Sequence, residues 1–235
     1  MSTPYPTTAE PSQAGVPDYL RDLYWWAYVH PRAIRFFERQ WLVNLILWGN
    51  YGRLRDLALD TLGAQVQGRT LQIACVYGDL TPRLAARLAP GAHLDVVDIV
   101  PGQLQNLATK LPADSPVRLT CGDSAVLPFE SGSMDQVLLF FLLHEQPEEV
   151  RRRTLAEALR VARPGGRIVI VDYHRPRAVH PLFAPMAGVL AALEPFALDL
   201  WRHPLSHWLP ADRPIASLAT RTYFGGLYQL ASITV

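Results

Sequence analysis

Cysteine is scarce: Cys75 and Cys121 are the only two in 235 residues, with no CxxC pair. That excludes a disulfide framework and a thiolate metal knot, and it suits a reducing compartment. Both fall at predicted strand ends and read as small buried residues. An excess of either charge is missing too: 22 Lys and Arg against 21 Asp and Glu leave a net charge of +1. No general attraction to a nucleic acid follows, and no basic stripe gathers along the chain. No uninterrupted apolar run approaches the roughly 20 residues that span a bilayer. The opening MSTPYPTTAEPSQAGVPDYL lacks the charged and apolar parts of a signal peptide, and its Pro, Ser and Thr content reads as a disordered leader over residues 1–17. These absences describe a soluble or membrane-peripheral protein.

What remains is ample for a core. Hydrophobic residues make up 49% and charged residues 18%, a composition and length that fit one α/β domain with an N-terminal addition. Residues 18–65 read as helical and aromatic. Ile34, Phe37, Trp41, Leu45 and Trp48 recur at spacings of three and four after the His30-Pro31 break. They form either a helical pair packed on the main domain or a lid over a bulky apolar substrate, because Trp25, Trp26, Phe36 and Phe37 put aromatics on more than one face. Arg32, Arg35 and Arg39 beside them suit a membrane surface.

From residue 70 strands and helices alternate. Strands are predicted at 70–75, 94–98, 117–121, 136–143 and 167–173, with helices over 82–88, 103–111 and from Pro147 to the Pro164-Gly165-Gly166 stop. Alternation of this kind builds right-handed βαβ units and a parallel sheet. Residues 174–214, rich in proline and aromatics with an apolar helix within 185–193, form a capping insertion. Two last strands, 217–223 and 227–235, add an antiparallel hairpin. The sheet thus has seven strands, and the main domain runs over residues 66–235.

The stretch LQIACVYGDLTPR organises the rest. An apolar strand meets a turn at Gly78, and a helix follows with Thr81 as N-cap and Pro82 at its first position. Strand, glycine turn and helix N-terminus make a nucleotide site in a doubly wound fold, yet position 76, where such a turn usually spends a glycine, is Val76. The ligand sits beyond the carboxyl ends of the strands, which carry Tyr77 and Gly78, Asp98, Asp123 and Ser124, His144, and Asp172, Tyr173 and His174. Asp98, 20 residues beyond Gly78, is placed to accept ribose hydroxyls, and Asp123 is placed to meet an adenine amine. Asp172 and His174 lie at i and i+2 and share a face if the strand persists. With His144 they form either a metal site for Mn²⁺ or another divalent ion, or a hydrogen-bonded cluster without metal.

At these residues the chain resembles the class I S-adenosylmethionine-dependent methyltransferases. LQIACVYGDLT is similar to their first cofactor motif, VVDIVPGQL to the second, CGDSAVLPFESGSMDQVLLFFLLHEQP to the adenine-binding stretch and fourth strand, and ALRVARPGGRIVIVDY to the segment ending in strand five. The resemblance implies a Rossmann-like fold. NLILWGNYGRLR and YFGGLYQL resemble the ubiquinone/menaquinone C-methyltransferases, and the aromatic leader with the VYGDLT turn and LLFFLLHEQP resembles the rhodoquinone-biosynthesis proteins of RquA type. That last resemblance implies an enzyme, peripheral to the cytoplasmic face of the inner membrane, that converts ubiquinone to rhodoquinone by exchanging a ring methoxy for an amino group. It implies S-adenosylmethionine as amino donor and dependence on Mn²⁺.

Departures from the methyltransferase pattern fit that chemistry. Gln72 stands where an acidic residue normally holds the methionine ammonium, and a glutamine leaves the amine neutral and nucleophilic. Val76 in place of glycine displaces the amino-acid tail, which Tyr77 then neighbours. The resemblance thus points to Gln72, Val76, Tyr77, Gly78, Asp98, Asp123 and Ser124 for the cofactor, and to His144, Tyr173, His174 and Gln72 for catalysis. Tyr28, Trp48 and Tyr51 are expected to wall the quinone head, and His144, Asp172 and His174 to hold the metal. The alternatives are a conventional C- or O-methyltransferase acting on a quinone or other apolar aromatic, and a non-catalytic binding module.

Overall fold

The computed structural model describes residues 39–75, 77–194 and 196–235, together with Pro17 and Leu20. The leader and most of the lid segment, with Tyr28, Arg32 and Arg35, lie outside the described residues, as does Val76. The described chain opens with helix α1, Gln40–Ile46. A turn at Trp48 and Gly49, both left-handed at φ 52° and 76°, leads into α2, Tyr51–Leu62. Tyr51, Leu54, Ala58, Leu59 and Leu62 recur at helical spacing on the buried face of α2, so this amphipathic helix packs on the sheet beside Val169 and Val171.

Seven strands form the sheet: β1 Arg69–Ile73, β2 His93–Asp98, β3 Val117–Cys121, β4 Met134–Phe140, β5 Ala162–Tyr173, β6 Ser217–Tyr223 and β7 Tyr228–Thr234. Their spatial order is β3-β2-β1-β4-β5-β7-β6. All pairs are parallel except those of β7 with β5 and with β6. Helices α3, Leu80–Ala85, α4, Pro101–Ala108, and α5, Glu148–Val161, make the crossovers. Alternate residues of one strand serve opposite cores. Leu138 and Phe140 join the cluster under α2, while Val137 and Leu139 join the one under α5. This two-sided burial is why β4 reads as a continuous apolar run. Leu138 is fully buried, and Leu138→Ala would cost about 2–5 kcal/mol.

The expected doubly wound sheet with its closing hairpin is present, and the differences are local. α3 starts at Leu80 with Asp79 at its N-cap. Thr81 is not the cap, because its hydroxyl is drawn under the turn to donate to Gln72 Oε1 at 3.0 Å. β4 stops at Phe140 instead of running to 143, since Phe141 turns the chain at φ 54°. β5 begins at Ala162, where it pairs with Met134 before a bulge resets the register at Gln136 and Arg167. Cys121 is exposed and Cys75 half-buried, so neither is the fully buried residue expected, and neither is in a disulfide. The capping insertion contains α6, Phe183–Leu193, and the short α7, Asp199–Arg202. Among the described residues no helix is long and apolar enough to cross a membrane.

β1 lies between β2 and β4, so the crossovers leave it in opposite directions and open a crevice at the carboxyl ends of β1 and β4. α1, α2 and α6 stand around that crevice.

Candidate active site

The crevice is a cavity of about 610 Å³. One end is built from the turn after β1 and from the ends of β2 and β3: Ala74, Cys75, Tyr77, Asp98, Asp123 and Ser124 line it. Asp98 is 8% exposed. Its Oδ2 accepts from the Cys75 N–H at 2.6 Å and its Oδ1 from the Val100 N–H at 2.8 Å. Burial pushes its carboxyl up to about 6, and those two amides and the Cys75 thiol limit the rise. Asp123 Oδ1 accepts from the Ala125 N–H at 2.8 Å, a turn that fixes the carboxylate at the cavity wall.

Ala74 sits at φ 72°, a conformation a Cβ disfavours by about 1–2 kcal/mol. Its N–H donates to Val97 O, and its own carbonyl accepts from Gln72 Nε2 at 3.0 Å. Gly78, at φ 88°, packs so closely on the Tyr51 hydroxyl that a side chain there would collide with it. That hydroxyl accepts from the N–H groups of Asp79 and Leu80 at 3.0 and 3.2 Å and donates to Asp79 Oδ1. Tyr51 thereby caps α3, whose short N-terminus has no side-chain cap of its own. Arg55 and Arg83 hold Asp79 from either side. Against the cost of burial, they bring its carboxyl below the ordinary range.

The other end is aromatic and acidic. His144 follows β4 in a tight turn, Leu143–Glu145. Its Nδ1 hydrogen-bonds Asp172 Oδ1 at 2.9 Å. Asp172 Oδ2 accepts from the Leu143 N–H at 2.8 Å and Oδ1 also from the Tyr173 N–H. Nε2, the ring nitrogen not committed to Asp172, is 3.8 Å from Glu145 Oε1. Burial alone would lower the His144 pKa. Asp172, with Glu194 and Glu145 beyond it, outweighs burial and raises it to about 9, so His144 is an imidazolium at neutral pH. Phe141 and Tyr173 pack edge-on to the His144 ring at 6.0 and 4.9 Å. Burial and the neighbouring Tyr228 and Glu194 push the Tyr173 phenol well up, which keeps it protonated.

Between the ends runs an apolar passage whose mouth lies between α1 and α6. Leu45, Ile46 and Trp48 line one side and Val189 and Leu193 the other, and the Trp48 Nε1–H reaches Met186 Sδ across it at 3.0 Å.

Residues 70–166 match the family model for a methyltransferase domain. A demethylmenaquinone methyltransferase of Clavibacter sepedonicus is 31% identical over 206 residues, which cover 80% of this chain and 82% of that protein. The chain belongs to the S-adenosylmethionine-dependent methyltransferase family. The demethylmenaquinone methyltransferase of Renibacterium salmoninarum is 32% identical over 148 residues, covering 62% of this chain and 56% of that one. Among solved structures, a SAM-dependent methyltransferase from Aquifex aeolicus aligns with a TM-score of 0.56 at 15% identity, covering 88% of this chain and 98% of that one. The N-methyltransferase NodS of Bradyrhizobium japonicum WM9 in complex with S-adenosyl-L-homocysteine aligns with a TM-score of 0.56 at 13% identity, over 93% and 98%. At these identities the structures support the fold.

The first end of the cavity fits the family's cofactor. Asp98 has one amide on each carboxylate oxygen and keeps acceptor capacity for a ribose hydroxyl. Asp98, Asp123, Tyr77 and Ser124 line the cavity. Ser124 is also tied to Thr154 and Gln146, and the Tyr77 hydroxyl accepts from Gln103 Nε2 at 2.8 Å. Gly78 shapes the turn from behind, outside the lining.

Other expectations are corrected. Gln72 is fully buried and does not line the cavity, because its amide is spent on Thr81 and on Ala74 O. Tyr51 reaches the cavity, but its hydroxyl belongs to the cofactor turn and not to a quinone wall. The metal set His144, Asp172 and His174 does not converge. β5 ends at Tyr173, and His174 turns its Nδ1 to Gly226 O at 2.8 Å, away from the cavity. Asp172 is enclosed by N–H donors, and His144 Nδ1 is held by Asp172. Among the described residues no group of three His, Cys, Asp or Glu is placed to hold a metal ion, so Mn²⁺ does not fit the three residues assigned to it. Sequence reasoning missed Ala74, the residue at φ 72° just after β1 that lines the cavity. It also missed Glu194, which comes from the capping insertion and carries no motif.

Proposed function

We propose that this enzyme modifies the ring of an isoprenoid quinone and that the group it transfers is the amino nitrogen of S-adenosylmethionine, exchanged for a ring methoxy of ubiquinone to give rhodoquinone. The observation that carries this reading is that no acid of the turn after β1 lines the cavity. Ala74, Cys75 and Tyr77 line the cavity there, and beneath them Gln72 is a neutral amide where the methyltransferase pattern has an acid. An amine with no carboxylate partner keeps its lone pair more readily, and a protonated amine has none to attack with.

S-adenosylmethionine, held at Asp98 and Asp123, supplies the transferable nitrogen. The quinone ring is a vinylogous ester: the amine adds at the carbon that bears the methoxy group and methanol leaves. The Cα–H and N–H protons then move to the two ring oxygens, so that the ring becomes a quinol and the N–Cα bond an imine. Water cleaves that imine to release the aminoquinol, the reduced form of rhodoquinone, and the cofactor's 2-oxo acid. At the opposite end His144 offers Nε2–H to the adjacent ring carbonyl and stabilises the charge that builds on its oxygen. Asp172 fixes the ring of His144 and keeps it protonated. Tyr173 and Phe141 exclude water around it. Leu45, Ile46, Trp48 and Val189 take the apolar tail. A tailed substrate places the work at the cytoplasmic face of the inner membrane.

A second reading, transfer of the cofactor's methyl group to a quinone ring carbon, is favoured by the relatives named demethylmenaquinone methyltransferase. Product mass spectrometry after incubation with ubiquinone and S-adenosylmethionine separates the two. An aminoquinone supports the first, while a methylated ring from a demethylated quinone, with ubiquinone untouched, supports the second.

A further inference from the structure

Nine large apolar side chains are exposed among the described residues, and five of them, Leu45, Ile46, Trp48, Val189 and Leu193, also line the cavity. The exposed apolar surface is therefore gathered at the cavity mouth. Trp41, one turn before Leu45, is 59% exposed and extends it along α1. On the other side α6 reads FAPMAGVLAAL and has no charged, hydroxyl or amide side chain in 11 residues, although Ala184, Gly188, Ala191 and Ala192 face outward. A helix on the surface of a water-soluble domain normally sets a polar stripe outward.

The charge in the segment that leads into α6 has one sign. Arg175 and Arg177 are exposed, Val179 between them and α6 is 89% exposed, and no acid falls between Tyr173 and Leu193. Glu194, the acid after α6, lines the cavity. An apolar helix face flanked by arginines is the chemistry that seats on an anionic lipid surface.

We propose that the rim formed by α1, residue 179 and the outer face of α6 docks on an anionic lipid bilayer, so that the cavity mouth opens toward the acyl chains. An apolar-tailed substrate then passes from bilayer to site without crossing water. The inference rests on the quinone reading for what enters, and on the rim alone for the docking.

The test is sedimentation of the full chain with vesicles of phosphatidylcholine alone or mixed with phosphatidylglycerol, without any quinone. The native chain is expected to bind the phosphatidylglycerol vesicles and to release at high salt. Val179→Glu and Ala192→Glu, neither of which lines the cavity, are expected to weaken binding at least tenfold, and Arg175→Glu with Arg177→Glu to abolish the preference for anionic lipid. Calorimetric binding of S-adenosyl-L-homocysteine, unchanged in all variants, reports an intact fold. Failure of the native chain to sediment overturns the docking proposal, as does equal binding by the variants. Loss of self-association in the variants, with no vesicle binding by the native chain, assigns the face to a second copy and also overturns it. Vesicle binding that follows the expected pattern, with no turnover of a tail-less quinone, supports the docking and counts against the quinone reading instead.

Discussion

Gln72 donates its side-chain Nε2–H to the carbonyl of Ala74 at 3.0 Å, and Ala74 holds the left-handed turn at φ 72°. A carboxylate at position 72 has no proton to give, so it would place oxygen against oxygen in a fully buried site. Gln72→Glu is therefore expected to destabilise the protein by about 1–3 kcal/mol and to weaken S-adenosyl-L-homocysteine binding through the turn. Ala74→Gly removes the Cβ from that conformation and is expected to stabilise by up to about 1 kcal/mol. Chemical denaturation of both variants measures these opposite signs.

Asp98 governs the pH dependence of cofactor binding. Its folded pKa of about 6 lies above the ordinary aspartate value, and only the carboxylate can accept from both ribose hydroxyls while keeping its two backbone amides. Calorimetric affinity for S-adenosyl-L-homocysteine is expected to fall as pH drops through about 6. Asp98→Asn is expected to bind at least tenfold more weakly at pH 7 and to lose that pH dependence.

His144 gives the opposite dependence in stability. Its pKa is raised from 6.5 to about 9 in the folded chain, so its ion pair with Asp172 contributes fully below about pH 6.5 and is lost as pH rises through about 9. Denaturation midpoints are expected to decline between those values in the native chain and to stay flatter in His144→Gln. Asp172→Asn leaves the imidazole buried without its counter-charge and is expected to cost roughly 3 kcal/mol at pH 7.

Tyr51 and Trp48, expected together on a quinone wall, separate by experiment. Tyr51→Phe strips the acceptor from the Asp79 and Leu80 amides and is expected to cost about 1–3 kcal/mol with weaker cofactor binding. Trp48→Phe breaks only the bond to Met186 at the cavity mouth and is expected to raise the KM for a long-tailed quinone, with cofactor affinity unchanged.

The centre of the sheet was legible because strands such as β4 are buried on both faces and read as apolar runs between turn residues. Strand ends were enough to bring Asp98, Asp123, His144 and Tyr173 to one cavity, since a doubly wound sheet gathers those ends in one crevice. Strand-end position does not say which way a side chain turns. Asp172 and His174 share a face only while the strand continues, and β5 stops between them. Gln72 alternates away from the cavity and acts through a backbone carbonyl, a role no motif encodes. Glu194 reaches the site from an insertion whose path depends on tertiary packing alone.

The most direct test of the proposed reaction follows two atoms of the cofactor at once. The enzyme is incubated with ubiquinone and S-adenosylmethionine labelled with ¹⁵N at its amino group and ¹³C at its methyl group, and the quinone is recovered for mass spectrometry. Amino transfer predicts ¹⁵N on the ring, one methoxy fewer and no ¹³C. A quinone that carries ¹³C and no ¹⁵N would contradict the account and assign the enzyme to methyl transfer.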